Sequence, residues 1–235
     1  MISGAFAVFR KEAVVEVGGY IPGHPGEDME LVVRLHRRFK EEGKPCRIVF
    51  LPDPVCWTQV PEDLSSLLRQ RDRWQRGLLR SLWEHRVMLF RPRYGVVGWL
   101  GLPFFLFFEG LGPLIEAAGL VWLAILYFSG LLSVEFLRAY FLLAIVYGWL
   151  LSLSAVILDD LLFRRYERAR DLLKLVLLSP WEYLGYHQLL ALGRVGALFR
   201  LAENRWGKPL RKPVELGDKE MPERTRMTTP SRGSF

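Results

Sequence analysis

The sequence predicts an α/β fold class for its amino-terminal part, followed by membrane helices. Two observations support this prediction. Residues 1–92 mix short apolar runs with charged, helix-like stretches, whereas long apolar segments dominate the chain from Tyr94 onward. The 235-residue chain also combines 51% hydrophobic with 24% charged residues. Such a mixture is typical of a protein with charged parts in water and apolar parts in lipid.

The amino-terminal part is predicted to alternate strands with helices. The stretch "GAFAVFRKEAVVEVGGY" indicates a strand, a short helix from about Lys11 to Val17 and a Gly-Gly turn. Further along, "CRIVFLPDPVCW" indicates a strand that Pro52 and Pro54 interrupt. The α/β class is predicted from these strands and this short helix.

Two longer helices are predicted in the same part of the chain. In "EDMELVVRLHRRFKEEG" the acids come first, the basic residues follow, and Gly43 ends the helix. Its apolar stripe consists of Leu31, Val32, Leu35 and Phe39. The stretch "PEDLSSLLRQRDRWQRGLLRSLWEH" begins with a proline and two acids, so a second helix carries the arginines around Trp74.

Two apolar segments are long enough to cross a membrane, at about 109–130 and 136–158. The preceding piece, 95–107, contains Pro103 and is predicted to lie along the interface. The loop between the spans has no Lys or Arg, whereas arginines follow the second span. The positive-inside rule therefore predicts a multi-pass protein of the cell (inner or plasma) membrane whose amino-terminal part is cytoplasmic.

The region after the spans admits two interpretations. Residues 172–199 are apolar enough for a third span, but Pro180 and Arg194 would then lie in lipid, so amphipathic helices on the cytoplasmic face are favoured. The basic tail, 201–235, has little apolar content and is predicted to be mostly disordered. Glu109 and Glu116 interrupt the first span, and an ion pair with a basic interface residue is favoured for Glu109 over a functional role.

A loop rich in glycine and proline ends in Glu27 and Asp28, where the first long helix begins. Carboxylates are common helix-start residues, and this structural explanation is as good as a functional one. In the functional explanation, Asp28 projects from the loop and takes a proton from an incoming hydroxyl group.

Gln70, Arg73 and Trp74 form the second constellation. One explanation is a basic helix that touches anionic lipid head groups, with Trp74 as an interfacial anchor. In the other, Trp74 offers an apolar face to a sugar ring, Arg73 binds phosphate through its planar fork, and Gln70 bonds a hydroxyl group. Glycosyl transfer from a nucleotide-sugar requires a site that holds a sugar and a diphosphate together.

The order "SGAF", "GGY", "GED", Q-x-x-R-W and then membrane helices resembles the membrane-bound family 2 glycosyltransferases. These include cellulose, hyaluronan and poly-N-acetylglucosamine synthases, and the resemblance covers about residues 1–210. It implies the C-terminal, acceptor-side half of a GT-A-like domain in 1–92. Interface helices and about two transmembrane helices would follow in 93–200.

The resemblance also implies roles for individual residues. Asp28 resembles the general base of the family, and Glu27 resembles its neighbour in the motif. Gln70, Arg73 and Trp74 resemble the Q-x-x-R-W motif, in which the tryptophan lies near the acceptor sugar and the arginine near the diphosphate. Two further residues resemble the loop near the acceptor, namely Ser3 and Gly4.

The implied activity is an inverting hexosyltransferase that moves a sugar from a nucleotide-sugar to a growing polysaccharide or lipid acceptor. Family members begin with a nucleotide-binding half whose D-x-D motif holds Mg²⁺ or Mn²⁺, and this sequence contains no D-x-D. The metal is thus expected for the intact enzyme, with its ligands absent from this chain. The chain is predicted to be a C-terminal segment: a truncated gene model, one product of a split gene, or a remnant.

The expected partners are the nucleotide-sugar donor, the acceptor, membrane lipids and a separate N-terminal catalytic half. A non-catalytic membrane protein that binds lipid or a partner chain is the competing hypothesis. The net charge of +7 would also suit a nucleic-acid binder, but the two spans argue against one, so no nucleic acid is expected. Cys46 and Cys56 lack metal-ligand spacing, so no metal site is predicted from them.

Overall fold

The computed structural model describes residues 6–49, 56, 58–163, 169–181 and 185–201, and its regular structure within these ranges is helical. Three helices form the amino-terminal part: α1 (Lys11–Glu16), α2 (Glu27–Glu41) and α3 (Leu64–Glu84). The two longer helices predicted from the sequence are therefore confirmed.

Local signals account for where α2 ends. Gly43 has a φ of +70°, which a glycine adopts at little cost. The amide of Lys44 donates to the Phe39 carbonyl at 2.8 Å, and that of Gly43 donates to the Lys40 carbonyl at 3.3 Å. This pair of bonds is the Schellman motif, which satisfies the last carbonyls of the helix.

A capping side chain fixes the start of α3. Asp63 precedes the helix and accepts a hydrogen bond from the Ser66 amide at 2.8 Å. The carboxylate thereby satisfies one of the unpaired amides at the helix start. The acids that predicted this helix therefore include its actual cap.

The α/β prediction is not confirmed. Residues 6–10 and 46–49 belong to segments predicted as strands, and the structure gives them no strand. Residues 1–5, 50–55 and 57 lie outside the described residues, so the rest of both segments is not covered. A strand needs a neighbour for its ladder of hydrogen bonds, and no strand pairing occurs in the part of the chain that the structure describes.

A broken helical stretch follows α3. Two 3₁₀ turns, Arg86–Met88 and Pro92–Tyr94, lead into a π-helix, Val97–Gly101, the short helix α4 (Leu102–Phe104) and a second π-helix, Phe105–Gly110. We call Val97–Gly110 the interface segment. One side of it packs against α2, α3 and the 3₁₀ turns and completes the apolar core. The buried residues of this core are Met29, Val33, Leu78, Leu82, Met88, Tyr94 and Leu102. The predicted stripe of α2 thus needs one correction, because Val33 is buried and Val32 is only half-buried.

The other side of the interface segment is exposed and strongly apolar. Its exposed side chains include Trp99, Leu100, Phe104, Phe107 and Phe108. A contiguous apolar face of this kind marks a contact with a membrane or with another protein. That the segment lies along the interface stays a prediction.

Among the described residues, two helices are long and apolar enough to cross a membrane. One runs through the interface segment and α5 (Gly112–Phe128), a total of 32 residues from Val97, and the other is the 29-residue Val134–Leu162 within α6 (Val134–Phe163). The second contains the predicted span 136–158, whereas the first begins twelve residues before the predicted span 109–130 and takes in most of the piece 95–107. The topology of both helices stays a prediction. So does the domain division at residues 92 and 200.

The last two described helices are α7 (Ala169–Trp181) and α8 (His187–Phe199). Each has 13 residues, so each is about 20 Å long, which is less than the roughly 30 Å of a hydrocarbon core. α8 packs against α3, with Ala191 and Ala197 buried and Gly193 beside Leu68. Residues 182–184, between the two helices, lie outside the described residues, so the choice between a third span and helices on the membrane surface stays a prediction. The predicted disordered tail lies outside the described residues, apart from Leu201.

Candidate active site

A contact between two glycines joins the two predicted motifs. The α-carbon of Gly77, in the middle of α3, lies so close to Gly26 that a Cβ added at Gly77 would stand 2.6 Å from the Gly26 nitrogen. Gly26 is the cap residue of α2, two positions before Asp28. The loop that ends in the carboxylate therefore rests directly on the backbone of the Q-x-x-R-W helix.

The motif residues of α3 share the side of the helix that makes this contact. At 3.6 residues per turn, Gln70, Arg73, Trp74 and Gly77 fall within about 100° of arc. Gly77 lies inside that arc, and Trp74 precedes it by one turn. The contact thus joins a residue two positions before Asp28 to a residue about one turn after Trp74. That Asp28 and the Q-x-x-R-W residues share one site stays a prediction.

Asp28 lies in the first turn of α2 and is half-buried. Its Oδ1 accepts a hydrogen bond from the Met29 amide at 2.9 Å, as carboxylates at helix starts do. Its Oδ2 has no hydrogen-bond partner among the described residues. One oxygen is therefore fixed by the helix and the other can accept a proton. The neighbouring Glu27 is exposed.

Trp74 is 45% exposed, so much of its indole is open to a ligand. The guanidinium carbon of Arg71 lies 4.7 Å from the centroid of its ring. Such a cation–π contact orients the ring and places a positive charge beside it. Arg73 and Gln70 are both half-buried. The side chains supply an apolar surface next to positive charge, as the sugar-diphosphate interpretation requires.

We call residues 20–28, the glycine- and proline-rich loop that ends in Glu27 and Asp28, the carboxylate loop. Arg34 anchors the turn that precedes it. Its guanidinium donates to the carbonyls of Val17 at 2.6 Å and Gly19 at 2.5 Å, and it pairs with Glu30 at 2.9 Å. Glu30 is 1% exposed and also accepts from Nε2 of His85 at 3.2 Å, so α2 is linked to the end of α3. Burial alone would raise the pKa of Glu30, but the bond from His85 and the charge of Arg34 outweigh it and lower that pKa.

Replacing Glu30 by Gln is expected to lower the free energy of unfolding by about 2 kcal/mol at neutral pH, because two charge-assisted bonds of a buried group are weakened. A lowered pKa means that the unfolded state binds the proton more readily, so this stabilisation is present above about pH 4.5 and is lost as the pH falls. Urea denaturation of the chain in detergent micelles at pH 7.5 and pH 4 measures both effects. Glu42→Gln, an exposed acid at the end of α2, is the control, and an equal loss in both variants would contradict the prediction.

A cluster of polar side chains joins α8 to α3. Arg194 donates to the Gln75 side chain at 2.9 Å and to the carboxylate of Glu109 at 2.8 Å. The Gln75 amide nitrogen donates to the Glu109 carbonyl at 3.0 Å and to that of Gly110 at 3.2 Å. The pairing predicted for Glu109 with a basic residue is therefore confirmed. The cluster holds α3 against the interface segment right beside Trp74.

Two expectations about the site lie beyond these contacts. Ser3 and Gly4 fall outside the described residues, so their predicted role stays a prediction. Among the described residues there is no group of three or more His, Cys, Asp or Glu side chains that could hold a metal ion. This part of the chain therefore offers no ligand set for the expected Mg²⁺ or Mn²⁺.

Comparison with known proteins agrees with the motifs. The family model for glycosyl transferase family group 2 matches residues 1–153, which is more than half of the chain. The chain belongs to this family. The match runs through the carboxylate loop, α3, the interface segment and most of the apolar helices. The two motifs therefore lie inside a family 2 glycosyltransferase sequence.

Curated relatives of this family 2 chain include polysaccharide synthases. It is 41% identical over 76 residues to the poly-beta-1,6-N-acetyl-D-glucosamine synthase of Staphylococcus aureus (strain COL). It is 37% identical over 87 residues to the enzyme of the same name from Staphylococcus epidermidis. These matches cover 32% and 35% of this chain but only 17% and 20% of the relatives. No solved structure matches the chain.

Several residues that build the site were not predicted from the sequence. Gly77 is the clearest, and a signal for it existed, because an isolated glycine inside a helix costs about 1 kcal/mol relative to alanine and usually has a packing reason. For Glu30 and His85 there was no such signal. Their pairing depends on how α2 crosses the end of α3, which residue spacing does not reveal.

Proposed function

We propose that this family 2 chain forms the acceptor-side part of a membrane-bound, inverting glycosyltransferase. It would transfer a sugar from a nucleotide-sugar to a growing polysaccharide or a lipid acceptor. The observation that carries the proposal is the backbone contact of Gly26 with Gly77. It sets a half-buried carboxylate with one open oxygen beside a helix that presents an indole and guanidinium groups.

In the proposed reaction, Oδ2 of Asp28 takes the proton of the acceptor hydroxyl as its oxygen attacks the anomeric carbon of the donor sugar. The new bond forms opposite the bond to the diphosphate, which breaks and takes its electron pair with it. Attack from the opposite face inverts the anomeric configuration. Trp74 packs against the acceptor sugar, Gln70 bonds one of its hydroxyl groups, and Arg73 offsets the charge of the departing diphosphate.

Mg²⁺ or Mn²⁺ belongs to this proposal as a component of the whole enzyme. A divalent cation bound to the diphosphate would stabilise it as a leaving group. Its ligands would come from a nucleotide-binding half, which we propose as a partner in the same or a separate chain. The described residues supply the base, the sugar platform and the arginine.

The membrane is the other proposed partner. The exposed aromatic side of the interface segment and the two long apolar helices would lie in lipid. The loop between the helices, around residues 129–133, carries no Lys or Arg, whereas the sequence after α6 is rich in arginine. This asymmetry supports a cytoplasmic catalytic part in the cell membrane.

The proposal that Trp74 packs against the acceptor sugar is tested with two tryptophan variants of α3. We expect Trp74→Ala to lower kcat/KM for the acceptor about tenfold or more, because a large apolar contact is lost. Trp83→Ala is the matched control, since Trp83 is also exposed on α3 and also lies under an arginine, Arg86. The assay uses the chain in lipid nanodiscs with UDP-N-acetylglucosamine and Mg²⁺ or Mn²⁺. It is run with and without a separately expressed nucleotide-binding half.

The outcomes separate the two hypotheses. Transfer that needs the added half and falls only in Trp74→Ala supports the enzyme. If Trp74→Ala and Trp83→Ala transfer sugar equally well, Trp74 does not bind substrate. If no arm transfers sugar while the chain binds anionic vesicles through α3, the non-catalytic membrane protein is the better description.

A further inference from the structure

His24 lies in the loop that leads to Asp28, and its side chain is fully buried. Its Nδ1 accepts a hydrogen bond from the Gly26 amide at 3.1 Å. Its Nε2 lies 3.6 Å from a carboxylate oxygen of Glu84, near the end of α3. The imidazole therefore stands between the loop and the motif helix, and nothing in the proposed mechanism uses it.

The bond to Gly26 fixes the protonation state of the ring. A nitrogen that accepts a hydrogen bond cannot carry a proton, so the neutral ring holds its proton on Nε2, facing Glu84. Protonation would turn Nδ1 into a donor that faces another donor, the Gly26 amide. The loop would lose that bond.

The surroundings of His24 favour the neutral ring. Burial lowers the pKa of His24, and the charge of Arg80 on α3 acts in the same direction. Glu84 on α3 and Glu30 on α2 favour the charged ring and only partly offset the burial. The neutral form is therefore the form that holds the loop near neutral pH.

The bond matters because of what Gly26 does. Gly26 is the cap of α2, its backbone rests on Gly77, and Asp28 follows two positions later. Gly23, at the tip of the loop, has a φ of +76° and leaves the chain there free to take other conformations. Without the bond from Gly26 to the imidazole, the loop keeps its packing on α3 and the contact of His24 with Glu84, but Gly26 is no longer fixed to the ring.

We propose that neutral His24 is a positioning residue, which holds Gly26 and thereby Asp28 against the Q-x-x-R-W helix. Protonation of Nδ1 at acid pH then breaks this bond, so that Gly26 and Asp28 shift from their positions and sugar transfer stops. The proposal deepens the proposed function and rests on it for the consequence in catalysis. The link between His24 and the Gly26 amide does not depend on catalysis.

The test compares two substitutions at His24. Asn can place its Oδ1 near the position of Nδ1 and accept the Gly26 bond without titrating, whereas Phe fills the volume and accepts nothing. His36→Gln is the control, because His36 is a half-buried histidine of α2 outside the loop. All variants are made in the full chain in nanodiscs.

The first readout is the hydrogen-exchange protection factor of the Gly26 amide, followed by NMR at pH 7.5 and pH 5.0. We expect the wild type and His36→Gln to lose at least tenfold in protection at pH 5.0. His24→Asn is expected to stay protected at both pH values, and His24→Phe at neither. Equal protection in the wild type and in His24→Phe at pH 7.5 would overturn the proposal, even if the chain transfers no sugar.

The second readout is the pH profile of sugar transfer with the nucleotide-binding half supplied. The wild type is expected to lose activity between pH 7.5 and pH 5.0, while His24→Asn retains it over that range. His24→Phe is expected to lose at least tenfold in kcat with little change in KM for the donor. If activity falls equally between pH 7.5 and pH 5.0 in the wild type and in His24→Asn, protonation of His24 does not control sugar transfer. Full activity of Asp28→Asn would refute the proposed function instead.

Discussion

Replacing Asp28 by Asn is expected to reduce kcat for sugar transfer by about 10² to 10⁴-fold, because the variant lacks the carboxylate that we propose as the base for the acceptor proton. Asn has nearly the same size and can still accept the Met29 amide bond that Oδ1 of Asp28 accepts at 2.9 Å. The start of α2 and the KM for the donor should therefore change little. Initial rates with saturating UDP-N-acetylglucosamine, measured with the nucleotide-binding half present, check this.

The structural explanation of Asp28 makes a different prediction. If this carboxylate only caps α2, the substitution changes stability slightly and leaves kcat unchanged. Glu12→Gln is the matched control, since Glu12 is also an acid in the first turn of a helix, α1, and is exposed. A loss of rate confined to Asp28→Asn supports the base. Equal rates in both variants exclude it.

Replacing Gly77 by Ala is expected to have the second largest effect, with transfer reduced about 10²-fold. The new methyl group would lie 2.6 Å from the Gly26 nitrogen and 2.8 Å from its α-carbon. Both atoms belong to the backbone, so the whole loop must move away, and a shift of about 1 Å at a reacting group costs about that much rate. The overpacking also destabilises the fold by about 1 to 3 kcal/mol, partly offset by the roughly 1 kcal/mol that alanine gains over glycine in a helix.

Two other glycine variants make this prediction specific. Gly119→Ala in α5 meets no atom within 4 Å and should be active and no less stable. Gly26→Ala probes the same contact from the other side, where the nearest atom is 3.1 Å away, so its loss of activity should be smaller. Thermal unfolding and transfer rates of the three variants are compared. If Gly77→Ala transfers sugar as fast as Gly119→Ala, the close contact does not position the site.

In the candidate site, some residues can be predicted from the sequence and others cannot. The sequence indicates Asp28 and Trp74 because a carboxylate after a glycine-rich loop and an indole among arginines have recognisable chemistry. It does not indicate His24, although this residue stands in the same loop as Asp28, because a lone histidine gives no sign of being buried. The role proposed for His24 depends on its contacts with Gly26 and Glu84, and both contacts result from how the loop packs on α3.

The sequence by itself determined the elements whose causes are local. The acids and the glycine that delimit α2, the Asp63 cap of α3 and the two long apolar helices all act within a few helical turns. Only the tertiary structure decided that Gly26 touches Gly77, that Glu30 pairs with His85 and that α8 braces α3 through Arg194. Such contacts join segments far apart in the chain. They form only where two surfaces match in shape and their buried polar atoms find partners, and neither condition is written in the spacing of residues along a helix.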